Sequence, residues 1–327
     1  RPRTIAPEAW ALTQTAWEPQ RARYWETLFA LSNGLIGLRG TLEEDDDTLR
    51  ARSCPGMYLN GIYDYEPYQH LWYFPGFATD KHAMLNCADW RIINVYVNGE
   101  RAGITTGSVT RFRRQLDLRR GIVRRSMVWR SPQGAAVNIV TTRLVSMARR
   151  HSAAIRCEVT PLHGVDSIAF ESAVDEQTVT STLKDQDHLQ CEVRSVAASG
   201  AAYLFATRGA PFTFGMAVEQ RVRGAAADAE IVSAADAVRT VWRYTARPRA
   251  KRPVVFDKHA CFFTSVETPR GDLASLAHTA ARRDARDTFA ALAREQARFW
   301  RQHWQHADVT IDGAPADQQA VRFSLFH

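Results

Sequence analysis

The sequence predicts a mainly β fold, a large antiparallel β-sandwich that is followed by helices. From about residue 90 to 265, strand-like segments of about ten residues recur, and Gly, Pro, Asn or Asp signals separate them. The segments GIVRRSMVWRS and AAVNIVTTRLV flank Pro132-Gln133-Gly134, as expected of a hairpin turn. After about residue 270 the apolar residues recur at helical spacing instead. We therefore place the β-sandwich domain at residues 1–270.

The first part of the chain combines an extended start with an aromatic-rich stretch. Asn33-Gly34, with further glycines at 37 and 40, predicts tight turns with positive φ and therefore hairpins rather than a helix. The acidic run EEDDD at 43–47 lacks the spacing and the glycine of an EF-hand, so we interpret it as a solvated loop. The residues of this part that we expect to be buried are Trp25, Leu28, Phe29 and Leu31.

The last part of the chain is predicted to be helical. Asp272 can cap a helix that begins just after it, and a break is expected around Arg283–Asp287. We therefore expect a helical linker at residues 271–313. Residues 314–327 again show a helical pattern and carry no C-terminal capping signal, which predicts that the chain is cut within a helix.

Composition indicates an ordinary globular protein. Of 327 residues, 45% are hydrophobic and 24% are charged, so there is enough apolar material for a sizeable core. The five cysteines are scattered, odd in number and without a C-x-x-C pair, which predicts free thiols rather than disulfides or a zinc site. No stretch approaches the ~18 consecutive apolar residues of a membrane span. We expect a cytoplasmic protein with no membrane partner.

The net charge of +7 rests on arginine, most densely in RFRRQLDLRRGIVRRSMVWR at 111–130. Nucleic-acid binding would need these side chains on one face, with aromatic residues between them. We interpret the run as a solvated or ion-paired sheet face, because the residue numbers fall into two parities and a pleated strand would spread them over both faces. The two sets are Arg111, Arg113, Arg119 and Arg125, and Arg114, Arg120, Arg124 and Arg130.

Signatures of catalysis are few. The sequence has no G-x-S-x-G elbow, no phosphate-binding P-loop and no H-E-x-x-H motif, and the glycines of NGLIGLRG have the wrong spacing for a dinucleotide site. Asp64 and Glu66 are the best candidate acids, because neighbouring aromatic residues could raise a carboxyl pKa. Loop carboxylates are common, however, and we expect no catalytic residue in this chain. His303 and His306 lack a third ligand and are interpreted as a surface pair, not a metal site.

The strongest chemical feature is an aromatic segment, with nine aromatic or imidazole rings within residues 58–77. Pro67 and Pro75 interrupt it, which predicts a loop region rather than a clean strand. Such rings suit stacking on a sugar or an apolar contact with another domain, and the alternative is a local core. We predict substrate binding by Tyr65, His70, Trp72 and Phe74. The nine residues are Tyr58, Tyr63, Tyr65, Tyr68, His70, Trp72, Tyr73, Phe74 and Phe77.

Longer segments identify a family. YWETLFALSNGLIGLRGTLEE at 24–44, followed by GMYLNGIYD at 56–64, resembles the opening signature of glycoside hydrolase family 65. This family includes maltose, trehalose, kojibiose and nigerose phosphorylases and acid trehalases. The resemblance spans essentially the whole chain and continues in LDLRRGIVRRSMVWRSPQG at 116–134, FWRQHWQHADVTIDG at 299–313 and QQAVRFSLFH at 318–327.

The resemblance implies a glycosidase-type N-terminal super-sandwich, a helical linker and an (α/α)6 barrel, whose first helix would begin at 314–327. In the family, the barrel carries the catalytic glutamate and the phosphate site, so the catalytic residues would lie beyond His327 and this chain alone would be inactive. The implied reaction is an inverting phosphorolysis of an α-linked glucose disaccharide to β-glucose 1-phosphate. No cofactor is implied, with inorganic phosphate as co-substrate, and a homodimer that binds no nucleic acid is expected.

Two alternatives within this interpretation remain open. The same domain occurs in family 65 hydrolases, which use water in place of phosphate. A free-standing carbohydrate-binding module would also account for the aromatic segment. Residues 65–90 depart from the family's usual shorter run, which leaves the substrate undetermined.

Overall fold

The structure is a computed structural model that describes residues 5–70, 72, 74–180, 183, 187–233, 238–269 and 271–327. Within these residues, strands and helices alternate with short turns. The strands are β1 (Ile5–Glu8), β2 (Ala11–Gln14), β3 (Leu31–Ser32), β4 (Ile36–Leu38), β5 (Met57–Leu59), β6 (Tyr63–Pro67), β7 (Asp80–Met84), β8 (Ile93–Val97), β9 (Glu100–Ala102), β10 (Ser108–Asp117), β11 (Ile122–Arg130), β12 (Ala136–Val145), β13 (Ser152–His163), β14 (Ile168–Asp175), β15 (Leu189–Ala197), β16 (Gly200–Thr207), β17 (Thr213–Arg223), β18 (Ala227–Ile231), β19 (Arg239–Ala246) and β20 (Val254–Thr264). The α-helices are α1 (Ala22–Leu28), α2 (Asp47–Arg50), α3 (Leu273–Asp287), α4 (Phe289–Ala307) and α5 (Pro315–Phe326).

Two antiparallel sheets form the body of the protein, as the strand spacing predicts. In the described part of the chain, the larger sheet has ten strands in the order β1-β2-β10-β11-β12-β13-β20-β17-β16-β15, and the smaller has five in the order β18-β19-β14-β8-β9. The segment from β3 to β5 forms a third, three-stranded sheet, and β6 pairs with β7 as a separate hairpin. The main core fills the space between the inner face of the larger sheet, the smaller sheet and the segment around α1.

Strand β20 shows why this sequence forms three layers. Phe256, Ala260 and Phe262 point into the main core, whereas Cys261, on the other face, packs beneath α3 against Ala277. A strand that is covered on both faces needs a nearly continuous apolar sequence, and HACFFT supplies one. The layers are therefore the helices α3 and α4, the ten-stranded sheet, and the five-stranded sheet.

A buried lysine joins the two sheets. Lys258 of β20 points inward, and its Nζ donates to Ser172 Oγ at 2.7 Å and to the Ala173 carbonyl oxygen at 2.8 Å, both in β14. Because these partners are neutral, burial lowers the pKa of Lys258 well below its usual value.

The predicted turn at Asn33-Gly34 and the predicted helix start at Asp272 are confirmed, whereas Gly37 and Gly40 do not have a positive φ and Gly37 lies within β4. Gly34 has a φ of 84° in the β3–β4 hairpin, and the Asp272 carboxylate accepts the Ser275 N–H at 3.1 Å as the N-cap of α3. The expected break falls at Thr288, which separates α3 from α4 and has a φ of 77°. The aromatic stretch before Asn33, for which no helix was predicted, forms the short helix α1.

Two glycines allow the helices to lie directly on the sheet. A Cβ atom on Gly215 of β17 would overlap with the carbonyl oxygen of Leu273 at the start of α3. A Cβ atom on Gly121, in the β10–β11 turn, would overlap with the indole nitrogen of Trp300 in α4. Both contacts require a residue without a side chain.

One arginine fixes both helices to the β12–β13 turn. The guanidinium of Arg149 donates from Nη1 to Asp284 at 2.7 Å and to Asp287 at 2.8 Å. The same group forms a two-pronged bond with Glu295 of α4, at 2.7 Å from each of Nε and Nη2. Because one planar group contacts three carboxylates from two helices, it holds the break between α3 and α4 in one geometry.

The acidic run is not the solvated loop that the sequence predicts. Glu43, Glu44 and Asp45 are buried, and the first two face the inner side of the larger sheet. Arg125 Nη1 donates to Glu44 at 2.7 Å, and Arg143 Nε donates to Glu43 at 3.1 Å. Burial acts to raise the pKa of Glu43, but the charges of Arg143 and Arg125 outweigh it and hold this pKa at about 2.

The parity argument for the arginine run also fails. Arg114 of β10 lies directly opposite Arg125 of β11, on the same inner face, although their numbers differ in parity. In an antiparallel pair the register of the turn decides which residues are opposite, so parity holds within one strand and not across a turn. The ion-paired face is confirmed for Arg125, whereas Arg124 is exposed on the outer face.

The cysteines and histidines were predicted to form neither disulfides nor a metal site. All five cysteines are free thiols, and Cys87, Cys157 and Cys261 are buried as small apolar side chains, as expected, whereas Cys54 and Cys191 are half-buried. No group of three or more His, Cys, Asp or Glu side chains in the described residues is arranged to hold a metal ion. His303 packs its ring on Trp300 at 5.3 Å, and His306 is exposed.

None of the helices among the described residues combines the length and the apolar character needed to span a bilayer.

Candidate functional site

The aromatic segment is built on the β6–β7 hairpin. Tyr63 pairs with Met84 and Pro67 with Asp80, so residues 63–67 form a regular strand where the sequence predicted a loop. Side chains alternate along this strand: Tyr63 and Tyr65 are exposed, whereas Asp64 and Glu66 are buried. The hairpin thus presents rings to solvent and inserts carboxylates into the protein.

The tip of the hairpin, residues 68–79, holds a small cluster of rings. His70 lies 4.6 Å from Tyr68, edge to face, and 4.8 Å from Phe77. Phe74 meets Phe77 at 5.4 Å. The Tyr68 N–H donates to the Thr79 carbonyl oxygen at 2.8 Å, which continues the hairpin ladder into the tip.

These rings are not a local core. Trp72 is 77% exposed and Phe74 is 58% exposed, far more than aromatic residues in a packed interior. The interpretation as core is therefore wrong for the exposed members, although Tyr58, in β5, is half-buried. The exposed rings are Tyr63, Tyr65, Tyr68, Trp72, Phe74 and Phe77.

The four predicted binding residues occupy two parts of the hairpin. Tyr65 stacks on His82 across the strands at 5.6 Å, whereas His70 and Phe74 both contact Phe77 in the tip. Trp72 stands between them in the chain, with its ring in solvent. Tyr73, another of the nine rings of the aromatic segment, lies outside the described residues.

Asp64 anchors the hairpin to the larger sheet. Its Oδ2 lies 2.8 Å from Nδ1 of His188, next to β15, and its carboxylate accepts the Gly209 N–H at 3.1 and 3.2 Å. It also accepts the N–H of Tyr65 at 2.9 Å. Burial acts to raise the pKa of Asp64, but the hydrogen bonds from His188, Tyr65 and Gly209 outweigh it, and the pKa is lowered. A carboxyl that is held ionised is a poor proton donor, so this carboxylate serves as an anchor.

A second anchor lies where β7 ends. Asn86 Oδ1 accepts the Met57 N–H at 2.9 Å, and its amide nitrogen donates to the carbonyl oxygens of Pro55 at 3.1 Å and Val179 at 3.2 Å. Glu66, the other candidate acid, has Lys81 Nζ at 3.9 Å. Sequence reasoning missed His188, Gly209 and Asn86, because nothing in the local pattern links them to the rings.

We expect Asp64→Asn to loosen the hairpin while the sandwich stays folded. The loss of the hydrogen bonds to the charged carboxylate should cost about 1.5–3 kcal/mol of unfolding free energy. Backbone amides of residues 63–66 and 80–84 should exchange hydrogen several-fold faster in mass spectrometry. Asp228→Asn, at an exposed position of β18, is the matched control.

The pH dependence of this anchor has a defined sign. Because the folded pKa of Asp64 is lowered, its contribution is present above the unfolded value of about 3.9 and is lost as the pH falls below it. The Asp64→Asn variant should lack this dependence. Equal exchange rates in both proteins at pH 7 would contradict the anchoring role.

Chemically, the site offers apolar ring faces on a fixed support. Flat apolar faces of this kind stack on sugar rings or on another protein surface, and six exposed rings on one hairpin form a patch that is unusual for an isolated surface. Asp64 and Glu66, the two buried carboxylates of β6, alternate with Tyr63 and Tyr65 and therefore lie on the opposite face of the strand from these two rings.

Comparison with known proteins gives the family. The model of the glycosyl hydrolase family 65 N-terminal domain matches residues 12–303. An α,α-trehalose phosphorylase of Thermoanaerobacter brockii is 30% identical, with 98% of this chain and 42% of the relative covered. A kojibiose phosphorylase of the same organism is 25% identical over 99% of this chain and 41% of the relative. An uncharacterized glycosyl hydrolase of Mycobacterium leprae is 32% identical over 98% of this chain and 41% of its own.

A solved structure shares the fold. A putative kojibiose phosphorylase from the human microbiome superposes with a TM-score of 0.86 at 19% identity, over 99% of this chain and 42% of that one. The chain spans about two fifths of the length of the curated relatives that it matches. Since the family model covers most of the sequence, from 12 to 303, the chain belongs to glycosyl hydrolase family 65 and carries its N-terminal domain.

Proposed function

We propose that this chain is the non-catalytic N-terminal part of a phosphorylase that acts on an α-linked glucose disaccharide, and that its aromatic hairpin contacts the sugar. The observation that carries the proposal is the set of six exposed rings on a hairpin anchored at Asp64 and Asn86. Two relatives, a trehalose phosphorylase and a kojibiose phosphorylase, support the reaction class.

The proposed reaction is an inverting phosphorolysis. A general acid protonates the glycosidic oxygen while phosphate attacks the anomeric carbon from the opposite side, giving β-glucose 1-phosphate and free sugar. Asp64 is held ionised, which supports a general acid outside this chain. We place that acid and the phosphate ligands in an (α/α)6 barrel beyond His327, with α5 as its first helix.

The hairpin would act on affinity rather than on the chemical step. An aromatic ring that stacks on the outer sugar adds binding energy in both the ground state and the transition state, which changes KM and leaves kcat unchanged. The two strands below the rings are held by buried polar groups, so the hairpin backbone loses little entropy on binding. We also propose a homodimer in the cytoplasm for the whole protein.

The reaction class can be tested directly. The whole natural protein is incubated with trehalose, kojibiose or maltose, with and without inorganic phosphate, and the anomer of glucose 1-phosphate is determined by NMR. We expect β-glucose 1-phosphate only when phosphate is present. Release of glucose at the same rate without phosphate would show a family 65 hydrolase instead.

The role of the hairpin is tested by Trp72→Ala in the whole protein. Loss of one stacking ring should raise KM for the disaccharide about 3- to 10-fold, because such contacts contribute about 0.5–1.5 kcal/mol. Trp72→Phe should retain most of the affinity, and Ile231→Ala, an exposed apolar residue on β18, is the control. Unchanged KM values for all three variants would show that the hairpin does not contact the sugar.

A further inference from the structure

A cavity of about 350 Å³, lined by residues outside the aromatic hairpin, lies between the sheet and α4. Its walls come from three elements that are distant in sequence. Trp10 lies in the turn between β1 and β2, Arg119 and Arg120 lie in the β10–β11 turn, and Arg301 and Trp304 lie on α4. The proposed function does not use this cavity.

The floor of the cavity is rigid. Trp10 and Trp304 meet edge to face at 5.2 Å, and Trp304 Nε1 donates to the Leu118 carbonyl oxygen at 2.7 Å. The guanidinium of Arg322, in α5, lies 3.7 Å from the centre of the Trp10 ring. These contacts fix both indoles before any ligand arrives.

The rim of the cavity is cationic. Arg119, Arg120 and Arg301 are exposed at its edge, and Arg119 lies 4.6 Å from the Trp10 ring centre. Like charges that converge from two separate elements repel one another, and this cost falls when an anion lies between them. The geometry of three guanidinium groups around one cavity is therefore that of an anion site.

Two carboxylates lie near this rim: Asp308 is part of the cavity lining and pairs with Arg322, and Asp117 pairs with the rim residue Arg120. Asp308 Oδ1 and Oδ2 accept from Arg322 at 2.7 and 2.8 Å. Asp117 Oδ1 accepts the backbone N–H groups of Arg119 at 2.9 Å and of Arg120 at 3.1 Å, which stabilises the turn. Its other oxygen lies 3.8 Å from Arg120 Nε, an ion pair that offsets part of the charge of this one arginine. The rim therefore keeps an excess of positive charge.

We propose that this cavity binds a phosphorylated small molecule of about the size of a sugar phosphate. Guanidinium groups match the oxygens of a phosphate in a two-pronged geometry, which makes arginine the preferred side chain for this group. Trp10, Ala297 and Trp304 supply the apolar part of the lining, beside the Arg119 and Arg322 guanidinium groups that lie over the Trp10 ring. The volume lies near the lower end of the range for small-molecule sites, about 300–1,000 Å³.

Calorimetric titration of the whole natural protein tests this proposal. The probes are glucose 6-phosphate, inorganic phosphate and glucose. Because the proposed catalytic site also takes phosphate and glucose, the readout is the part of the binding that is lost when Arg119 or Arg301 is replaced. In that part we expect saturable binding of glucose 6-phosphate and none of glucose. Tighter binding of glucose 6-phosphate than of inorganic phosphate in that part identifies a sugar phosphate as the ligand, and equal affinities identify phosphate alone.

Two variants and a control locate the binding. Arg301→Gln and Arg119→Gln should each raise the Kd for glucose 6-phosphate about 10-fold or more, as expected for a lost ionic hydrogen bond. Arg298→Gln, at an exposed position of the same helix outside the cavity, should leave it unchanged. Absence of binding at millimolar concentration, or an equal loss in all three variants, would overturn the proposal.

Discussion

Replacing Arg125 with methionine is expected to lower the free energy of unfolding by about 3–5 kcal/mol, the usual cost of breaking a buried ion pair. The reason is that Glu43 and Glu44 both lie beside this guanidinium, with Arg125 nitrogens at 3.5 and 2.7 Å. Methionine fills a similar volume but leaves Glu44 without its ionic partner in the interior. Urea unfolding, followed by circular dichroism, measures the difference.

Arg124→Met is the matched control for this prediction. Arg124 is the preceding residue of the same strand, but its side chain is exposed on the opposite face. Its replacement should change the unfolding free energy by less than about 0.5 kcal/mol. Similar losses in the two variants would show that the buried network is not the source of the effect.

The loss of stability in Arg125→Met should depend on pH in a defined direction. Glu43, with a pKa of about 2, contributes stability above the unfolded value of about 4.3, and this contribution declines as the pH falls. Burial raises the pKa of Glu44, and loss of Arg125 removes the charge that opposes this rise. A raised pKa of Glu44 lowers the stability of the folded state at neutral pH, and this cost disappears as the pH falls and the carboxyl is protonated. The difference in stability between wild type and Arg125→Met should therefore shrink from pH 7 to pH 4.

Gly215→Ala is expected to release α3 from the sheet, at a cost of about 3 kcal/mol, the upper end for an inserted methyl group. The added Cβ would overlap with the Leu273 carbonyl oxygen, which is backbone and cannot rotate away. Hydrogen exchange across residues 273–287 should then increase together with the loss of stability.

Gly37→Ala in β4 separates this steric effect from the general effect of replacing a strand glycine. A Cβ at this position would meet Tyr58 Cβ at 3.8 Å, an ordinary van der Waals distance. This variant should keep the stability and the exchange pattern of the wild type. Unchanged exchange in α3 of Gly215→Ala would mean that the helix docks without the close contact.

The sequence predicted the antiparallel sheets and the helical end because their signals are local. Alternation, turn residues and the Asp272 cap all lie within one element and its neighbours. The buried ion network could not be predicted in the same way. Arg125 and Glu44 are separated by 81 positions, so only the three-dimensional pairing shows that an acidic run meets an arginine face.

The candidate site was likewise predicted only where its signals are local. The rings were identified from their density in a short segment, but the anchor was not, because His188 lies 124 positions after Asp64 and Gly209 lies 145 positions after it. The sequence also predicted a loop at Tyr65, because two prolines obscured the alternation. Pro67 lies at the last position of β6, where a strand can accept it.

The β6–β7 hairpin is a sheet of its own in the described part of the chain, joined to the rest through side chains and loop backbone. Its tip can therefore gain or lose residues without shifting the register of any strand in the two large sheets. Exchange of residues 68–79 between homologues would keep Asp64 and Asn86 in place while it replaces the exposed rings. Under the proposed function, such transplants would change the sugar preference and leave the folding of the sandwich unchanged.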